Sequence, residues 1–113
     1  MARPRIADDV GIPAVRATER SRDETALAVR YLLQLLVERV PGNTVEVRVP
    51  PFGAVQVVEG PRHTRGTPPN VIEMDAETWI ALATGALEYG EARIHASGTR
   101  ADISFALPLL RAG

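Results

Sequence analysis

The sequence contains no cysteine and no lysine; all 13 of its basic residues are arginine. Without Cys there is no disulfide framework, no thiolate nucleophile and no Cys-ligated zinc or iron–sulfur centre. Without Lys there is no Schiff-base amine and no Walker-type phosphate loop, since both need an ammonium group. The two histidines, His63 and His95, lie too far apart in sequence for a metal-ligand motif. No metal site and no cofactor is expected. No apolar run approaches the roughly 18 residues of a membrane span. The first residues, Met1 to Asp9, hold no apolar stretch of signal-peptide length, and Arg111-Ala112-Gly113 is no peroxisomal address. The expected location is the cytoplasm.

What is present fits one small domain. The chain has 113 residues, enough to bury roughly 65% of its unfolded surface without staples. Its 13 Arg stand against 14 Asp and Glu, for a net charge of −1. That balance argues against nucleic acid as a partner, because such binding needs a clustered basic surface.

Residues 1–20 are broken by Pro4, Gly11 and Pro13 and read as a flexible arm, with Pro13 opening a short helix over 14–20. The domain is expected over 21–113. Ser21 and Glu24 have capping-box spacing. Leu27, Val29, Leu32, Leu33, Leu36, Val37 and Val40 follow at helical intervals, and Pro41-Gly42 stops the helix. Thr44–Val49 alternates as a half-buried strand, Pro50–Gly53 turns, and Ala54–Glu59 is a second strand of an antiparallel hairpin. Residues 60–70 carry no periodicity. Val71–Met74 reads as a strand. Asp75 is placed to cap a helix over 76–84 that Gly85 ends. A further helical turn is expected over 86–89 and a strand over 93–96. Thr99 is placed to cap a last helix, bent or shortened by Pro108. The order predicts an α+β domain: a mostly antiparallel sheet of about four to five strands with helices packed on one face.

The loop 60–70 is the leading site candidate. Arg62 and Arg65 can fork a carboxylate or phosphate, with His63 as proton donor and Thr64 and Thr67 as hydroxyl donors. The competing reading is a connector stiffened by Pro61, Pro68 and Pro69, its arginines paired with Glu59, Glu73 or Glu77. His63 has no orienting partner nearby in sequence, and Ser21, Ser97 and Ser104 sit in no nucleophile-elbow pattern. His95 reads as a solvent-facing strand residue. Trp79 and Tyr89 suit either a pocket wall or the core. Arg100, with the Gly98–Asp102 backbone, can meet an anion at a helix start; a plain capped start is the alternative.

These residues carry a resemblance. Val45–Phe52, the string Gly60–Val71, Trp79 with Leu82–Gly85, and Ala96–Gly98 with Arg100–Asp102 resemble the bacterial, mainly actinobacterial, sterol-carrier-like family of the sterol carrier protein 2 superfamily. The resemblance covers about residues 30–110. It implies an apolar cavity between sheet and helices that takes lipids or other apolar ligands. A related module accompanies the catalytic domain of mycothiol-dependent isomerases. That catalytic domain is absent here, so its activity does not carry over. The stretch from Leu87 to Ile94 is shorter than the family's helix at that place, which bears on the cavity's size.

The expected function is therefore non-catalytic binding of a lipid or other apolar small molecule. Leu33, Leu36, Trp79 and Leu82 would wall the cavity. Arg62, His63, Thr64 and Arg65 would stand at its mouth, with Arg100 as a further anion contact. The alternatives are an interaction or scaffold domain with a closed core, acting as a homodimer or with a protein partner, and an accessory partner of an isomerase of the mycothiol type. An enzyme built on His63 and its neighbouring arginines ranks last, because arginine is a poor proton carrier.

Overall fold

The computed structural model describes residues 4–60 and 70–111. The helices are α1 (Asp8–Arg16), α2 (Arg22–Arg39) and α3 (Ala76–Thr84). The strands are β1 (Val45–Val49), β2 (Gly53–Val57), β3 (Asn70–Glu73) and β4 (His95–Ser97). Short 3-10 turns cover Tyr89–Glu91 and Ser104–Ala106.

Local chemistry explains most of these elements. At the start of α2 the Ser21 hydroxyl accepts from the Glu24 N–H and the Glu24 carboxylate accepts from the Ser21 N–H, at 3.1 and 2.9 Å. This reciprocal box satisfies two otherwise orphaned donors. Asp75 caps α3 through the Thr78 N–H at 2.8 Å, and Gly85 closes it at a positive φ of 82°. A residue without Cβ takes that conformation at no steric cost.

The four strands form one mixed sheet in the order β2-β1-β3-β4. The β1–β2 hairpin is antiparallel, with Val45, Val47 and Val49 opposite Val57, Val55 and Gly53. β3 pairs with β4 in antiparallel fashion. β3 runs parallel to β1, however, with Asn70 opposite Val45. The sheet is thus mixed, with four strands among the described residues. The reason is topological: the connection after β2 carries the chain past the start of β1 to its other edge, where β3 sets out in the same direction as β1.

Besides the parallel pair in the sheet, two sequence expectations need correction. The first concerns residues 1–20, where the helix is α1 and contains Pro13 instead of starting at it. Tertiary packing overrides the local break. The Tyr31 ring lies against the bare backbone of Gly11, and Ala14 and Val15 are buried. The second is the last helix, which does not form; residues 99–110 are irregular around the Ser104–Ala106 turn. Proline disfavours helical backbone in the residue before it, and Leu107 is extended at φ −108°, ψ 151°. The Arg39 guanidinium instead holds this segment through the Ala106 and Pro108 carbonyls at 3.0 and 2.9 Å.

One continuous core joins Val29, Leu32 and Leu36 of α2, the inward valines of β1, Val57, Ile72, and Trp79 and Leu82 of α3. Trp79 is fully buried, and its indole N–H donates to the Val29 carbonyl at 3.3 Å. On the opposite face of β1, Glu46 and Arg48 pair at 3.0 Å.

Candidate functional site

Helical spacing puts Arg30, Leu33 and Gln34 on one side of α2. That side meets β2, the edge strand of the sheet. A groove of about 310 Å³ runs between them. Leu33, Phe52, Gly53, Ala54 and Val55 supply most of its lining, and Pro4 and Ile6 supply an outer wall. The volume lies at the lower end of the ~300–1,000 Å³ typical of small-molecule sites. Gly53 allows the close approach of strand and helix, since a Cβ there would stand 3.2 Å from Leu33 Cδ1.

The polar groups of the groove are few and fixed. Arg30 Nε donates to the Phe52 carbonyl at 2.9 Å, which aims the guanidinium along the hairpin end of the groove. Among the described residues Arg30 has no carboxylate within salt-bridge distance. The Arg22 guanidinium sits 5.3 Å from the Phe52 ring centroid, in cation–π contact. The Gln34 amide is spent on Ile6: its oxygen accepts the Ile6 N–H at 2.8 Å and its nitrogen donates to the Ile6 carbonyl at 2.9 Å. Next to this, Arg5 holds Glu38 through two bonds of 2.7 and 3.1 Å and reaches Asp8 at 3.3 Å. Pairing with Arg5 holds the Glu38 carboxyl below its usual pKa. The Tyr31 hydroxyl, donating at 2.6 Å, and then Arg5 do the same for Asp8. This arrangement can bind an apolar body and contact one polar end.

The expected site residues separate in space. Leu33 lines the groove. Leu36 and Trp79 lie in the closed core with no exposed surface. Leu82 is also buried and borders a second hollow of about 210 Å³, which Leu87, Tyr89 and Arg111 complete. Burial raises the Tyr89 pKa, and its hydroxyl oxygen accepts from the Ile103 N–H at 3.4 Å. Arg100 is exposed, and its backbone N–H donates to Asn70 Oδ1 at 2.8 Å. Arg62, His63, Thr64 and Arg65 lie outside the described residues. On either side of them the described chain stops at Gly60, three residues past the end of β2, and resumes at Asn70, the start of β3.

The sequence reading did not single out Arg30, Gln34, Phe52, Val55, Pro4 or Ile6 for the site. A signal for two of them existed: Arg30 and Gln34 sit four apart beside Leu33, a polar pair on the margin of an apolar stripe.

The family model of bacterial SCP orthologs matches residues 21–109. The chain belongs to this family. The matched span opens at Ser21, the cap of α2, and closes two residues before the described chain ends. It contains the sheet, α2, α3 and every groove residue except Pro4 and Ile6. Comparison with curated proteins gives no match. No described helix of this SCP ortholog is long and apolar enough to cross a membrane.

Proposed function

We propose that this SCP ortholog is a non-catalytic binder of an apolar small molecule or lipid, held in the groove between α2 and β2. The groove itself supports the reading: an apolar channel at a sheet edge, with Arg30 at its hairpin end and, among the described residues, no carboxylate within salt-bridge distance of it. In this reading residues 21–113 are the binding domain and residues 1–20 an appended segment. From Gly53 to Val57 the strand spans roughly 13 Å at ~3.3 Å per residue. A ligand lying along the groove-lining part of that strand would have Arg30 at its polar end.

A second reading has its own observation. Trp79, Leu32, Leu36 and the β1 valines are fully buried in one continuous core, which suits an interaction domain with a closed core. Titration with Nile red, a neutral apolar dye, separates the two. The binding reading expects saturable fluorescence that fatty alcohols or sterols displace. Val55→Phe, which fills the groove from an edge position, is expected to weaken binding about tenfold, or ~1.4 kcal/mol. No saturable binding by the unaltered protein would leave the closed-core domain as the better reading.

A further inference from the structure

Two walls of the groove belong to the span that the family model matches. The third does not. Pro4 and Ile6 close the outer side, and the match begins only at Ser21. The outer wall of the groove thus comes from residues outside the matched span.

The way this wall is attached differs from the way its neighbour is attached. α1 is anchored through apolar contact: Ala14 and Val15 are buried, and the Tyr31 ring packs on Gly11. Residues 4–6 are held by polar contacts at the surface and by one apolar contact, the half-buried Ile6 side chain against the margin of the core. Arg5 and Glu38 keep 45% and 44% of their side-chain area exposed in their ion pair, so water competes with it throughout. The Ile6 backbone bonds go to the Gln34 side chain and the Arg5 guanidinium and not to a strand. Ala7 joins the two parts in extended backbone at φ −68°, ψ 148°, just before α1 begins. Segments with few buried contacts and solvent-exposed bonds open at low free energy while the packed elements beside them stay shut.

We propose that Pro4–Ile6 is a hinged strap: it opens at Ala7 to admit an apolar ligand, then closes so that Pro4 and Ile6 contact that ligand. The inference rests on the proposed binding function. The Arg5–Glu38 and Arg5–Asp8 pairs and the Gln34–Ile6 bonds set how often the strap opens, and α1 remains docked during the motion.

The absence of cysteine makes a clean test possible. Ile6→Cys introduces a single thiol on the strap, and its rate of maleimide labelling reports opening without any ligand. Adding Glu38→Ala is expected to raise that rate about two- to fivefold, as befits the loss of an exposed ion pair. Arg5→Ala should act in the same direction, and circular dichroism should show α1 and the rest of the fold unchanged in both. Saturating Nile red should slow labelling, because the ligand holds Ile6 in place. In the chain without the cysteine, Glu38→Ala should speed both dye entry and dye release by a similar factor and leave the affinity within about twofold. If the dye binds but neither substitution nor ligand changes the labelling rate, the strap is overturned and the groove reading stands. If the dye does not bind at all, the groove reading fails and takes the strap with it.

Discussion

Asn70 holds the junction of three segments. It is almost fully buried; its Nδ2 donates to the Thr44 carbonyl at 3.0 Å and its Oδ1 accepts the Arg100 N–H at 2.8 Å. One side chain thus ties the entry to β1, the start of β3 and the chain after β4. Asn70→Ala would leave a carbonyl and an N–H without partners. The expected cost is about 1–3 kcal/mol, read from urea denaturation. Asn70→Asp keeps the acceptor but sets a carboxylate against the Thr44 carbonyl, and should cost at least as much. The sequence gives no hint of this role. An Asn at the start of a strand pattern reads as turn punctuation, and both of its partners come from elsewhere in the chain.

α1 shows how an element can depend on one buried group from its neighbour. Tyr31 sits beneath it, almost fully buried, with its hydroxyl on Asp8. Burial, and then the bond to the Asp8 carboxylate, push the Tyr31 pKa up from 10.0 to about 12. The neutral phenol is the form the fold favours. Between pH 10 and 12 the unfolded chain has lost this proton while the folded chain still holds it, so stability falls as pH rises through that window. Tyr89 is raised by burial as well and acts in the same direction. Thermal melts at pH 9 and pH 11.5 should therefore show a drop in melting temperature, and Tyr31→Phe should remove part of it. If Tyr31→Phe leaves the alkaline drop unchanged, the proposed linkage through α1 is wrong. The elements with local signals were legible in the sequence: α2 from its box and stripe, α3 from Asp75 and Gly85, and the hairpin from its alternating valines. α1 was not, because Gly11 and Pro13 look like breakers until Tyr31 is placed against them.

On the scale of the whole molecule, the SCP ortholog consists of a closed core with a groove outside it. A ligand that binds the groove binds only the folded chain, because α2, β2 and the N-terminal segment must be assembled to form it. Such a ligand at 100 times its Kd adds about 2.7 kcal/mol of stability. For a domain of this size the melting temperature should rise by roughly 4–8 °C, measurable by differential scanning calorimetry. Val55→Phe should abolish most of that rise. A rise of equal size in Val55→Phe would place the ligand elsewhere in the fold.

The sequence by itself determined what depends on neighbours along the chain. Caps, helical stripe, alternating strand and stop signals act within a few residues, so α2, α3, β1 and β2 could be read with their approximate ends. It also determined the chemical vocabulary, with arginine as the sole strong cation and no thiol. Tertiary structure alone decided the rest. Leu33 and Leu36 belong to the same apolar stripe and both are buried, yet only Leu33 also borders the groove. The pattern cannot distinguish them, because the difference lies in what faces each: Leu33 lies against Gly53 on the edge strand β2, and Leu36 is enclosed by the core. The parallel pairing of β3 with β1 was likewise settled by the path of the chain around the sheet. The groove drew its walls from residues as distant as Ile6 and Val55, which only folding brings together.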